Sequence, residues 1–294
     1  MYEDLSTYHE PISSLFTWPT SKEEWDMYRL DEEQVEHFRT YGYVSNIKLL
    51  EEEHVNQLIQ ELEELMSPDH PGHHLFYEYH SNESEDPDRA LFHSLGHWRI
   101  TKGFHDVLWN PRFVMAAHQL LEGNDVRFWH DQLFCKPAEH GGVVAWHQDY
   151  SYWTRTIAMQ HLTCWVGLDD ATRENGCLQY IPKSHTWGLL EAPSLAGNMD
   201  GLMDYLSQEQ REQFVPTAIE LKKGHASFHH PLLVHGSYEN NSKRPRRAFV
   251  LNAFADGTLS NSDDELLAGV PRISKGHKME GQFFPLLFQK DILA

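Results

Sequence analysis

A histidine and an aspartate two residues apart, in Trp146-His147-Gln148-Asp149, are the pair in this sequence with the plainest chemical use. Along a β-strand, residues i and i+2 project from one face, so His147 and Asp149 can reach the same metal ion. Imidazole and carboxylate supply two of the three protein ligands of the facial set found in non-haem iron(II) oxygenases; the third is usually a histidine from elsewhere. In a chain with 21 histidines and 44 acidic residues such a pair also arises by chance, so it needs a companion.

The companion lies downstream, in Phe228-His229-His230-Pro231-Leu232-Leu233-Val234-His235-Gly236-Ser237, followed by Asn240-Asn241-Ser242 and Arg246-Arg247-Ala248. His235 ends an apolar run, which places it at the edge of a buried strand. Arg246 opens the next apolar run. A strand, a turn and a returning antiparallel strand bring its guanidinium near the metal, where it can grip a carboxylate through two parallel hydrogen bonds. Two alternatives stay open. His229 and His230 compete with His235, although they read better as one inward, hydrogen-bonded histidine and one surface histidine, and a register slip of one residue would exchange Arg246 for Arg247.

In this order the motifs resemble the phytanoyl-CoA dioxygenase family of iron(II)- and 2-oxoglutarate-dependent oxygenases, from about Leu30 to Phe254. The likeness includes Gly42-Tyr43-Val44, Lys136-Pro137 ahead of His147-Gln148-Asp149, and Glu174-Asn175-Gly176-Cys177-Leu178. It includes Ile181-Pro182-Lys183-Ser184-His185 as well, with Lys183 where the family usually has glycine. The resemblance implies that His147, Asp149 and His235 bind Fe(II). It implies that Arg246 and Ser237 bind the distal carboxylate of 2-oxoglutarate, that O2 is the other co-substrate, and that the products include succinate and CO2. Halogenases of similar fold have a small residue in place of the carboxylate ligand; Asp149 therefore favours hydroxylation or a related oxidation over halogenation.

Aromatic residues crowd the pair. Trp146, Tyr150, Tyr152 and Trp153, together with Gln132, are candidate substrate contacts, although barrel aromatics also serve as core. Lys136 reads equally well as a pocket residue or as a solvated charge at a strand end. The histidines at 70, 73 and 74 fall in a Pro- and Ser-containing loop and read as solvated.

The elements that must position these residues change character along the chain. Residues 1–26 read as an extended arm and 27–125 as mainly helical support. Asp31 is a plausible N-cap, and 51–66 carries Val55, Leu58, Ile59, Leu62, Leu65 and Met66 at helical spacing. Residues 67–90 read as a long loop. Asn110-Pro111 opens another helix that stops at Gly123. From 126 to 256 short β-rich runs take over, at 127–136, 143–147, 162–168, 177–181, 218–221, 226–229, 232–235 and 246–254. Turn signals such as Gly141-Gly142, Asn175-Gly176 and Lys223-Gly224 separate them, and one helix, with the capping box Ser207-x-x-Gln210, interrupts. With 257–294 as a C-terminal segment, the expectation is one α+β domain over 1–294: a double-stranded β-helix (a jelly roll, cupin-like) buttressed by N-terminal helices.

Composition narrows the function. Apolar residues make up 40% of the 294, as in a globular enzyme. The formal charge of −20, from 24 basic against 44 acidic residues, argues against nucleic acid and other polyanionic partners, CoA thioesters included. No run of eighteen apolar residues occurs, and Met1-Tyr2-Glu3-Asp4 lacks a signal-peptide pattern, so the expectation is a cytoplasmic protein without membrane contact. Cys135, Cys164 and Cys177 have no paired spacing and read as reduced core thiols. The reading is a monomeric or weakly oligomeric oxygenase of a small neutral, cationic or zwitterionic molecule. A non-redox, metal-loaded cupin-like binding protein and a catalytically silent interaction protein are the rivals.

Overall fold

The computed structural model describes residues 2–80, 92–139, 142–192, 194–195 and 198–293. The helices are α1 (Lys22–Asp26), α2 (Glu32–Tyr41), α3 (Glu52–Leu65), α4 (Lys102–Asp106), α5 (Pro111–Leu120) and α6 (Gln208–Glu212). The first strands are β1 (Tyr43–Lys48), β2 (Glu78–His80), β3 (Phe92–Leu95), β4 (Val126–Lys136), β5 (Val144–His147), β6 (Thr156–Ile157) and β7 (His161–Gly167). They are followed by β8 (Leu178–Tyr180), β9 (Thr217–Ile219), β10 (His225–His229), β11 (His235–Ser237), β12 (Arg246–Ala255), β13 (Leu259–Ser260) and β14 (Leu286–Phe288).

Local chemistry sets the supporting helices. Asp31 and Gln34 form a reciprocal capping box at the start of α2, and Gly42 ends it at φ +84°. A side chain at Gly42 would press on His185 and Leu233, so the close approach as well as the turn calls for glycine. Asn110 Oδ1 accepts from the backbone N–H groups of Arg112 and Phe113 with Pro111 in the first turn of α5. Val55, Leu58, Leu62 and Leu65 bury one face of α3 in the main core.

The strands are paired antiparallel in two principal sheets. The larger runs β1-β10-β7-β12-β4-β3-β2, with β14 added beside β4; the smaller runs β5-β11-β8-β9. This is the double-stranded β-helix within an α+β fold, with α3 and α5 contributing to the core against the larger sheet.

Three expectations need correction. The stretch 1–26 is not simply an extended arm: it carries α1, buries Trp25 and ties itself down, with Asp4 paired to Arg99 and Asp106 accepting from the N–H groups of Ile12 and Ser13. The support region also supplies β1, β2 and β3, because β1 completes the edge beside β10 through the register Tyr43↔His229. Finally, the strand expected over 232–235 begins where it was to end: Leu232 lies in a turn and β11 starts at His235. The turn expected at Gly141-Gly142 and the far half of the 67–90 loop lie partly outside the described residues.

Candidate active site

The first ligand pair stands at the end of β5. His147 is its last residue, and Asp149 opens the short turn that follows. His235, the first residue of β11, is the antiparallel partner of His147, so sheet register alone brings the two imidazoles together, with ring centres 4.1 Å apart. Asp149 Oδ1 lies 3.4 Å from His147 Nε2 and 3.5 Å from His235 Nε2. Among the described residues, His147, Asp149 and His235 are the group able to converge on one metal ion, their ligand atoms lying within 4.8 Å of one another.

The remaining atoms of these side chains are committed elsewhere. His147 Nδ1–H donates to Ala145 O at 2.7 Å, and His235 Nδ1–H to Leu233 O at 2.9 Å, which leaves each Nε2 lone pair facing the centre. Asp149 Oδ2 accepts from Thr163 Oγ1 at 2.6 Å and from His229 Nε2 at 3.0 Å, so Oδ1 is the oxygen left for a cation. His229 is steadied in turn by the Tyr180 hydroxyl at 2.9 Å. Burial opposes the charge on Asp149, but the imidazoles of His235, His147 and His229 outweigh it and hold the carboxyl well below the usual range. Burial and the neighbouring His147 push His235 well down, the neutral form that a ligand needs.

Gln148 faces away from this centre and fastens the segments around it. Its Nε2 donates to Gly188 O and Leu232 O, and its Oε1 accepts from Leu190 N–H. Ser184 Oγ accepts from Val234 N–H at 2.8 Å, bracing the residue before His235. Lys183, where glycine was usual, turns the chain there at φ +70°.

A cavity of about 1380 Å³ opens beside the triad. That exceeds the usual range for one small ligand and leaves room for two molecules at once. Arg246 and Ser237 line it, and Arg246 is almost wholly buried with its guanidinium over the Trp165 ring. The register Arg246↔Lys136 settles which arginine faces in: Arg247 projects from the other face and forms a two-point ion pair with Asp169, both contacts at 2.9 Å. His230 is not near the ligand position; its backbone bonds to Gly42, and its Nδ1 accepts from Leu232 N–H.

Of the aromatic candidates, Tyr152 and Trp153 line the cavity, as does Gln132. Trp146 and Tyr150 do not. Trp146 alternates with His147 along β5 and packs into a separate cluster with Ile181, Leu202 and Val234. The Tyr150 hydroxyl donates to Thr156 O, and its ring lies against the main core. Lys136 is no solvated strand end; it is fully buried, with Nζ 2.8 Å from Ser237 Oγ. His229 is the inward, hydrogen-bonded histidine that the sequence reading expected of the 229–230 pair, whereas the supporting roles of Thr163 and Gln148 were missed. Only Gln148, locked between two ligands in sequence, carried a local signal.

Residues 38–248 match the family model described as phytanoyl-CoA dioxygenase (PhyH). Phytanoyl-CoA dioxygenase domain-containing protein 1 of Bos taurus is 36% identical over 138 residues, covering 45% of this chain and 46% of that protein. Peroxisomal phytanoyl-CoA dioxygenase of Bos taurus is 30% identical over 161 residues, covering 52% and 46%. The chain thus spans about half the length of the curated relatives it matches. Among solved structures, the non-heme alpha ketoglutarate dependent carbocyclase SnoK from nogalamycin biosynthesis superposes with a TM-score of 0.72 at 21% identity, over 92% of this chain and 100% of that one. EctD from S. alaskensis, solved with 2-oxoglutarate and 5-hydroxyectoine, gives 0.69 at 18% identity, over 98% and 94%.

Proposed function

The chain belongs to the phytanoyl-CoA dioxygenase family, and from that premise we propose that it is an iron(II)- and 2-oxoglutarate-dependent oxygenase that hydroxylates a small organic molecule. The observation that carries this reading is the convergence of two imidazole Nε2 atoms and one carboxylate oxygen beside a cavity that also holds a buried arginine.

These residues fit the metal. Neutral imidazole and ionised carboxylate are the donors that non-haem iron(II) takes, and hydrogen bonds to Ala145, Leu233, Thr163 and His229 aim them. In this reading His147, Asp149 and His235 hold the iron, while Arg246 and Ser237 bind the distal carboxylate of 2-oxoglutarate. Bound iron(II), 2-oxoglutarate and O2 supply oxidative decarboxylation to succinate and CO2, with an oxygen atom inserted into the substrate. The protein's part is orientation: the arginine fork fixes the co-substrate's far end, and the buried Trp153 in the cavity wall keeps water from that side.

For the substrate we favour a neutral, cationic or zwitterionic molecule over a CoA thioester. Glu78, Glu139 and Glu239 line the cavity with Arg155, and the chain's net charge is −20. Both oppose a polyanion within a screening length of ~8 Å. The test is anaerobic loading with iron(II) and 2-oxoglutarate, followed by succinate release on adding air and a panel of amines, amino-acid derivatives, free acids and acyl-CoA esters. Substrate-dependent succinate is expected with members of the first groups. Metal binding without 2-oxoglutarate consumption on any substrate would favour the cupin-like binding protein, and efficient turnover of an acyl-CoA would overturn the substrate class.

A further inference from the structure

One buried cation has no part in the chemistry just described. Lys136, the last residue of β4, is fully buried and stands opposite Arg246 in the β4–β12 register. Its Nζ donates to Ser237 Oγ at 2.8 Å and to Tyr238 O at 2.5 Å, with Ser237 O at 3.4 Å. Arg246 is 2% exposed, and its Nε has no hydrogen-bond partner. Among the described residues no carboxylate is found paired with either group; Asp169 and Glu63 pair instead with the neighbouring Arg247. Burial first, and then the facing guanidinium, push the Lys136 ammonium well below its ordinary value, with Glu239 opposing. Two cations side by side in a core are costly unless an anion joins them.

The hydrogen bonds show how such an anion would meet them. Ser237 and Arg246 line the cavity; Lys136 stands behind Ser237. An anion in the pocket favours the charged form of Lys136, and an ammonium has protons and no lone pair, so in that state it donates to Ser237 Oγ. That occupies an acceptor position on the hydroxyl and leaves its own proton free for a group in the cavity.

We propose, on the oxygenase reading, that Lys136 is the positioning residue of the co-substrate pocket. It fixes Ser237 as a donor to the distal carboxylate of 2-oxoglutarate and places a second positive charge behind Arg246. The pocket therefore selects 2-oxo acids with a second, distal carboxylate. A plain tie between β4 and β11 is the rival account, and it predicts no such selectivity.

The experiment titrates two 2-oxo acids into anaerobic iron(II) protein and follows the absorption of the metal complex. One is 2-oxoglutarate; the other is 2-oxobutyrate, which has no distal carboxylate. Lys136→Met is expected to weaken 2-oxoglutarate binding about tenfold or more and to leave 2-oxobutyrate within about twofold. Lys136→Gln keeps a neutral donor for Ser237 and should lie between Met and the native residue, which guards against a Met variant that fails to fold. In a Ser237→Ala background the Lys136→Met change should cost markedly less than in the native chain, since part of its effect runs through that hydroxyl. Equal weakening of both acids, or native 2-oxoglutarate binding in both lysine variants, overturns the proposal while the oxygenase reading stands. If the native iron protein binds neither acid, both fall together.

Discussion

At the metal end of the cavity the polar atoms of the three converging side chains have partners: two imidazole N–H groups meet backbone carbonyls, and the outer carboxylate oxygen takes two donors. At the other end, Lys136 and Arg246 face each other with no acid paired to either among the described residues, and Arg246 Nε is unpartnered. The first end is complete apart from a cation and keeps its shape by its own hydrogen bonds. The second is built from like charges and becomes favourable only when an anion arrives. Removing a group from the first should therefore destroy a geometry, whereas removing one from the second should weaken an affinity in proportion to the charge lost.

The largest effects belong to the metal end. His147→Ala and His235→Ala should abolish iron-dependent turnover, and Asp149→Ala should abolish hydroxylation. Near-native activity in either histidine variant would remove that residue from the triad.

Next comes the dependence on pH. Burial holds His130 and His230 at about 4 and His161 at about 3. These folded values lie below the unfolded 6.5, so between roughly pH 6.5 and 4 the unfolded chain takes up protons that the folded chain refuses, and stability falls as pH falls. The loss is on the order of 3 kcal/mol for His130 alone. Asp131, raised by burial to about 7, works in the opposite direction but is outnumbered. Urea unfolding of the metal-free protein at pH 7, 5.5 and 4.5 measures the trend, which should be shallower in His161→Gln. A flat profile in the native chain would count against neutral, buried histidines at these three positions.

At the anchor end, Arg246→Ala should weaken 2-oxoglutarate by ~2–3 kcal/mol, a factor of roughly 30 to 150. Arg247→Ala should scarcely change that affinity, because its guanidinium is spent on Asp169. The reverse order would contradict the β4–β12 register. The smallest of the four effects is that of Thr163→Val, which frees one lone pair of Asp149. Iron affinity should drop about tenfold, read by competition with a chelator, and an unchanged value would mean that His229 suffices alone.

What the sequence made legible followed from short range. His147 and Asp149 fall together because the backbone stays extended through Gln148, although Asp149 already lies past the end of β5, and the capped starts of α2 and α5 announce themselves through Asp31 and Asn110. The choice of Arg246 over Arg247 depended on pairing with a strand more than a hundred residues away, so it stayed open until the register Arg246↔Lys136 was seen. Thr163 and His229 reach Asp149 from the larger sheet across the sandwich, a contact that no local pattern encodes. Trp146 and Tyr150 misled for a related reason. Aromatics next to a ligand in sequence point to the opposite face or into a turn as readily as into the cavity.

The three thiols have a bearing on how such a protein ages. Cys135, Cys164 and Cys177 are all buried and unpaired; burial lifts Cys135 and Cys177 to about 11 and also raises Cys164 well above the usual thiol range. Sulfur is attacked by peroxide and by electrophiles as thiolate, and at neutral pH these side chains hold almost none. A chain that handles dioxygen thus keeps its most oxidisable atoms in a form that resists oxidation. Stray oxidant escaping the cavity would meet Tyr152 and Trp153 first, and chemical wear should accumulate on those rings while the core sulfurs stay reduced.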